Sequence, residues 1–439
     1  MRNYEPRTRL AVPISRNDPV APSRLARKLG SSDAVIIGLG AMLGAGIFAA
    51  LAPAARAAGT GLIVGLVIAG FVAYCNATSS AALAALYPES GGTYVYGRKR
   101  LGPAWGFLAG WCFIVGKLAS CAAMAMTFAS YAAPAFERPL AVVAVALATA
   151  VNYFGITKTA LVTRVIVALV LACLAFVVFA CVFGGSADAA RAIPTLQSGW
   201  GGILQSAGFL FFAFAGYARI ATLGEEVIAP DRTIRRAIPI ALGIVLVVYA
   251  IVAISTLSAV GAEAIATTAT PLAAAVAGGR YAAGVPIVRI GAAIASLGVL
   301  LSLLAGISRT TFAMAGNGDL PRSLGHVHSR YRVPDHAEVA AGVIVSIIVV
   351  GADVADAIGV SSFAVLLYYA IANAAAMTLG ADQRRATILL PLAGLFGCVL
   401  IASSLPLVAV VSGAIMLGFG AAACRVRLRR ARPRSTKSR

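Results

Sequence analysis

Two interruptions of otherwise apolar stretches are where this chain's backbone could do chemistry. The first is Gly38-Leu39-Gly40-Ala41-Met42-Leu43-Gly44-Ala45-Gly46-Ile47-Phe48, and the second is Phe211-Phe212-Ala213-Phe214-Ala215-Gly216-Tyr217-Ala218-Arg219. A membrane helix that unwinds at its middle frees backbone N–H and C=O groups, which hydrocarbon tolerates only where they line a cavity or are buried in protein. The N–H groups that open the second half of such a helix, aided by its dipole, suit a carboxylate. Interrupted segments at corresponding places in two halves point to a transport site at the bilayer midplane. The glycines near residue 40 superficially resemble a dinucleotide-binding loop. That loop follows a strand and needs an acidic residue about 20 positions on, whereas apolar spans stand on both sides here.

Among side chains, Lys117 is the one ionisable group near the middle of any span. A charge there costs about 3 kcal/mol on insertion scales, which makes it a functional candidate; the plain alternative is a strut that snorkels or is held by carbonyls. A lysine charged in one conformation and neutral in another would exchange a proton during transport or replace a bound cation. Arg219 lies just past the second interruption, with Glu225 and Glu226 about two turns on. Six or seven residues is too far for a direct pair along a helix, so a gate ion pair with another span and a plain cluster at the mouth stand as equal readings. Of Phe209, Phe211, Phe212 and Phe214, those at the break are candidates to touch substrate; the others read as lipid-facing or packing residues.

The elements that must position these residues are membrane helices. The chain is 60% hydrophobic and only 12% charged, with mean hydropathy +0.89, against about a quarter charged in soluble domains. Charge-poor windows of about 20 residues, the length that crosses a bilayer core, recur about a dozen times. Spans fall at 33–57, 61–86, 103–133, 139–153, 158–183, 199–223, 237–261, 286–314, 338–351, 357–380, 387–403 and 405–424. The fold expected is an all-α membrane protein with about twelve transmembrane helices, the first and sixth discontinuous, arranged as a five-plus-five inverted repeat. Its parts would be an arm over 1–32, repeats over 33–183 and 199–380, two further spans over 387–424 and a basic tail over 425–439. The polar segment Tyr87 to Trp105 reads as a loop or re-entrant piece, and Gly261 to Val285 has room for a short surface helix. Glycines four apart, Gly40 and Gly44, Gly61 and Gly65, Gly106 and Gly110, are packing features.

The net charge of +20 is a topology signal rather than a nucleic-acid footprint. With twelve spans, 28 of the Lys and Arg residues fall on the side of the termini and five (Arg56, Arg138, Arg191, Arg280 and Arg289) on the other. The positive-inside rule then places both termini in the cytoplasm, with anionic lipid contact secondary. Residues 1–30 contain no apolar core of a cleavable signal, so the arm is expected to stay. The seven cysteines, all in or at the ends of spans, read as small core residues. His326, His328 and His336 share one loop; with no partner cysteine or carboxylate pattern beside them, they read as solvated loop residues rather than a metal site.

At four places the sequence resembles the amino acid-polyamine-organocation superfamily. Gly40 to Phe48 resembles its first-span motif, and Phe212 to Tyr217, with Glu225-Glu226 and Pro230-Asp231-Arg232, resembles its sixth-span motif and following loop. Tyr87-Pro88-Glu89-Ser90-Gly91-Gly92-Thr93-Tyr94 matches the piece after span 2. Ser308-Arg309-Thr310, Ala313-Met314 and Gly318-Asp319-Leu320-Pro321 match the piece after span 8. The matches cover about residues 31–330 in the family's order. The resemblance implies alternating access by an amino acid permease, with the α-carboxylate at the first break and the α-amino group at carbonyls of the sixth. Carried over, the substrate site comprises Met42, Gly44, Ala45, Gly46, Phe212, Ala213, Ala215 and Gly216. Ala45 departs from the Ser or Thr common in relatives, so backbone donors must suffice there. Two further departures are an apolar span 5, where some relatives carry a coupling lysine, and Gly116-Lys117 in span 3, where cationic amino acid transporters carry a glutamate.

These features predict a secondary transporter in the plasma membrane. One ammonium and no carboxylate at mid-membrane favour a neutral amino acid, with H+ coupling or exchange; a cationic amino acid such as arginine or lysine is the runner-up. An amino acid-binding sensor or channel is the alternative of another class. No nucleophile, base and acid set, nucleotide-binding loop or cofactor motif argues for an enzyme or an ATP-driven pump.

Overall fold

The computed structural model describes residues 30–44, 46–87, 91–155, 160–217, 220, 227–380, 383 and 387–431. The first half runs α1 (Ser31–Met42), α2 (Gly46–Ala58), α3 (Leu62–Leu86), α4 (Thr93–Arg100), α5 (Pro103–Ala132), α6 (Glu137–Tyr153) and α7 (Ala160–Phe183). The second runs α8 (Gly199–Phe214) with a 3-10 turn over Ala215–Tyr217, α9 (Pro230–Thr267), α10 (Pro271–Ala277), α11 (Val285–Gly316), α12 (Asp335–Gly351) and α13 (Val354–Met377). Two more helices follow, α14 (Leu389–Ser404) and α15 (Leu407–Ala431). Eight segments among the described residues are long and apolar enough to cross a membrane. α1 and α8 are shorter because each is one limb of a broken span.

The helices are apolar nearly all round, as lipid-embedded helices are. Outward positions carry large hydrophobics such as Leu161, Ile347, Phe396 and Phe419; in water so much exposed apolar surface would drive association. Polar side chains turn inward, and Asn373 of α13 donates to Asn76 of α3 at 2.6 Å. The two halves pack counterpart on counterpart: α2 on α8, α3 on α9, α5 on α11 and α6 on α12. That pairing is the inverted repeat expressed as contacts.

The expected glycine pairs all mark close approaches. A Cβ on Gly40 would stand 3.0 Å from Val167 of α7, one on Gly65 3.1 Å from the Ala207 backbone of α8, and one on Gly106 2.9 Å from the Arg98 backbone of α4. The Tyr87–Trp105 segment is not a loop throughout. Gly92, at φ 56°, turns the chain into α4, whose first N–H, on Thr93, donates to the Tyr368 hydroxyl at 3.1 Å. The helix expected between residues 261 and 285 is α10, yet Leu272, Ala275 and Val276 are buried, so it packs into the bundle instead of lying on its surface. Arginines expected on the outer side close helix ends or breaks: Arg56 donates to Ala266 O at 3.1 Å, Arg191 to Ala259 O at 3.1 Å, just before α9 is interrupted at Gly261 (φ 78°), and Arg280 to Phe183 O at 3.2 Å. A cation there satisfies free carbonyls and opposes the negative end of the dipole.

Candidate functional site

The two interruptions meet, and they meet through glycine. A Cβ on Gly46, the first residue of α2, would lie 2.7 Å from Ala213 Cα at the end of α8. A Cβ on Gly216 would lie 2.1 Å from the Ala41 carbonyl oxygen and 2.8 Å from Met42 N at the end of α1. Each break therefore uses its glycine to seat its backbone on the other, a reciprocity that a two-fold related pair of repeats produces. Gly44 is sealed from the side by Val299 of α11, 2.0 Å from where its Cβ would be.

The carbonyls released by the breaks are held by buried tyrosines. The Tyr249 hydroxyl of α9 donates to Met42 O and stands 3.3 Å from Ala213 O, so one phenol spans both breaks. Tyr369 of α13 donates to Ala215 O at 3.4 Å; beyond the break, inside the first turn of α2, the Phe48 carbonyl accepts from Tyr131 of α5 at 3.4 Å. A carbonyl oxygen has two lone pairs, so these contacts leave acceptor capacity at the break. The N–H groups of the first turn of α2 have no partner within their own helix.

Between the breaks lies a small cavity of about 40 Å3 lined by Met42, Gly44, Gly46, Phe212, Ala213 and Gly216, with Lys117, Ser120 and Met124 of α5 opposite. Such a volume admits water molecules rather than an amino acid, so the helices enclose the site closely in this conformation. Lys117 is 6% exposed, and its recorded electrostatic neighbour among the described residues is the Cys121 thiol one helical turn on. It is the one charged residue of the lining among the described residues. Ser120 is held by Ser361 of α13 at 2.7 Å. A larger, open cleft of about 420 Å3 near Glu137, Arg138 and Asp353 lies away from both breaks.

Of the residues expected in the site, Ala215 is buried but outside the lining, its carbonyl turned to Tyr369. Ala45, Arg219, Glu225 and Glu226 lie outside the described residues. Phe209, Phe211, Phe212 and Phe214 are all buried, which corrects the lipid-facing alternative; α8 is enclosed by α2, α3, α13 and α14. Sequence reasoning missed Tyr249 and Tyr369, single tyrosines in apolar helices. It also missed Ser120 and Met124, whose spacing of three and seven from Lys117 puts them on the same helix face. A buried carboxylate was missed as well: Glu338, in the first turn of α12, accepts from Asn152 of α6 at 2.8 Å, and the same amide donates to Leu301 O at 3.1 Å.

Two polar clusters stand outside the cavity. The side chain of Asp319 is fully buried; it accepts from Tyr94 at 2.6 Å and Arg98 at 2.8 Å and also pairs with Arg427 near the end of α15. The histidines are not merely solvated. His326 Nδ1 is 2.7 Å from Asp335 Oδ1, His336 Nδ1 is 2.9 Å from Ser323 O, and His328 Nδ1 accepts from Arg330 N at 3.2 Å. Burial pushes the Asp335 carboxyl up, but the contact with His326, the His336 backbone N–H and both imidazoles hold it below the ordinary aspartate value.

Comparison with known proteins gives the arrangement a context. The amino acid permease family matches residues 29–423. A transporter of Mycobacterium tuberculosis designated uncharacterized is 58% identical over 408 residues, 92% of each chain. A branched-chain amino acid permease of Bacillus subtilis is 28% identical over 338 residues, 71% of each. A vacuolar cationic amino acid transporter of Arabidopsis thaliana is 28% identical over 375 residues, 79% of this chain and 62% of the relative.

Proposed function

Because the chain belongs to the amino acid permease family, and is therefore a multi-pass membrane transporter and not an enzyme, we propose that it carries neutral amino acids across the plasma membrane by alternating access. The observation that carries this reading is the reciprocal seating of the two breaks around a cavity with a single charged residue. The α-carboxylate would take the free N–H groups at the start of α2, near Gly44, Ala45 and Gly46. The α-ammonium would take the remaining lone pairs of the carbonyls around Ala213 and Ala215. Met42 and Phe212 would contact the side chain.

Lys117 separates the neutral from the cationic reading. A substrate carrying a second positive charge would meet this ammonium in a low-dielectric cavity, where like charges repel far more strongly than in water. We assign Lys117 the coupling role: it exchanges a proton between conformations and uses its own charge in place of a bound cation. The Arg219, Glu225 and Glu226 segment would gate the mouth, and the distribution of basic residues would keep both termini in the cytoplasm.

The test is uptake of labelled neutral amino acids into proteoliposomes with an imposed pH gradient, comparing wild type with Lys117→Ala and Lys117→Arg. Lys117→Ala is expected to lose gradient-driven accumulation while retaining exchange of internal for external substrate. Full accumulation by Lys117→Ala would remove the coupling role. Absence of counterflow in wild type would remove the carrier reading and leave a sensor or channel.

A further inference from the structure

The chain returns on itself between α11 and α12, and the return juxtaposes His326, Asp335 and His336. One ligand-capable atom from each lies within 4.8 Å of the others. The imidazoles of His326 and His336 stack with centroids 4.5 Å apart and planes 20° from parallel. Asp335 is anchored, its side chain 9% exposed, whereas that of His326 is 52% exposed and free to adjust.

The hydrogen bonds decide which atoms are available. The Ser323 carbonyl can only accept, so the His336 Nδ1 beside it, at 2.9 Å, carries the proton and leaves Nε2 with its lone pair. Fixing one ring nitrogen by a carbonyl is how proteins orient the other toward a metal. His326 Nδ1 and Asp335 Oδ1, 2.7 Å apart, hold a proton between them, and a divalent cation can replace a proton so placed. Bonds of about 2.0–2.2 Å to nitrogen and carboxylate oxygen need ligand atoms a little over 3 Å apart in a tetrahedral site. Ring-nitrogen lone pairs lie in the ring planes, so the half-exposed His326 imidazole must also turn out of its near-parallel stack with His336 to aim at a shared ion. Asp335 directly precedes His336 in the sequence, and the fold-back brings its carboxylate to His326, nine residues earlier.

We propose that His326, Asp335 and His336 form a binding site for a borderline divalent cation, Zn2+ in the first instance, with water completing the coordination. Two imidazoles and one carboxylate suit Zn2+, Co2+ or Ni2+ and disfavour Mg2+ and Ca2+, which take all-oxygen sets. The ion would tie the start of α12 to the loop leaving α11, the helix that supplies Val299 and Leu303 to the cavity wall. The site stands on its own residues and is independent of the substrate and the coupling ion.

The experiment is calorimetric titration of ZnCl2 into the metal-stripped full-length protein, purified without a histidine tag, with thermal unfolding as the second readout. One saturable equivalent is expected, with a midpoint of unfolding that rises with zinc and does not respond to MgCl2. His326→Ala and His336→Ala should each weaken binding at least about tenfold, and the double variant should abolish it. His328→Ala, outside the cluster, should bind as wild type does. Unchanged apo unfolding midpoints in the variants establish that the fold is intact. No saturable binding by wild type would overturn the site and leave the cluster as a hydrogen-bonded loop closure. Undiminished one-equivalent binding by the folded double variant would overturn it equally.

Discussion

The first and sixth breaks are built from the same device and finished differently. Each relies on a glycine where the backbone of the other break passes, Gly46 against Ala213 and Gly216 against Ala41 and Met42. At the sixth break the exposed carbonyls are attended by side chains, Ala213 O by Tyr249 and Ala215 O by Tyr369. At the first, the Met42 carbonyl is bound by Tyr249, whereas the N–H groups that open α2 have no helical partner. Among the described residues, the N–H groups at this pair of breaks come from the start of α2, and carbonyls come from the ends of both α1 and α8.

The comparison breaks most completely at the glycines. Gly46→Leu and Gly216→Leu should each abolish amino acid binding in protein that still inserts, read as loss of substrate-induced thermal stabilisation. The alanine variants sharpen the comparison. Gly216→Ala should be the more damaging, because its methyl meets a backbone oxygen at 2.1 Å, while that of Gly46→Ala meets Ala213 at 2.7 Å. Equal, unchanged affinity in folded Gly46→Leu would remove the carboxylate site from the first break.

Next in size is the shared phenol. Tyr249→Phe removes the donor to Met42 O and the hydroxyl beside Ala213 O, and should cost about 1–3 kcal/mol of stability. Tyr369→Phe, whose hydroxyl makes a longer carbonyl contact at 3.4 Å and also meets the Tyr217 hydroxyl, should cost less because no second carbonyl depends on it. Denaturant unfolding in detergent gives the ranking, and a reversed order would show that the two breaks are not joined through Tyr249. The smallest effect belongs to Ala45→Ser, which adds a hydroxyl beside donors that already suffice; substrate affinity should be unchanged or tighter. A clear loss of affinity would mean that the first break has no room for the side chain common in relatives.

Much of this was legible before folding. The interruptions at residues 38–48 and 211–219 identified the discontinuous helices, because glycine clusters in apolar runs have few other physical uses. Lys117 was legible because a lone charge in a span is too costly to be incidental. Tyr249 and Tyr369 were not, since a tyrosine in an apolar helix reads as core until its hydroxyl is seen against a particular carbonyl. Glu338 was passed over because it stands near a helix start, where acidic residues are common, and only the arrival of Asn152 from α6 shows that it is enclosed. The histidine cluster was hidden for a related reason: Asp335 adjoins His336 in sequence, but only the fold-back brings its carboxylate to His326.

Sequence by itself determined the class of molecule, the positions of the two breaks and the isolation of one cationic side chain, because hydropathy, glycine clustering and charge are properties of local composition. Tertiary structure alone decided that the breaks seat on each other, that one tyrosine serves both, that Lys117 joins the cavity they enclose and that His326 of the loop meets Asp335 and His336 at the start of α12. Those are contacts between segments far apart in the chain or folded back upon it, and a helix's periodicity carries no record of which neighbour it will meet.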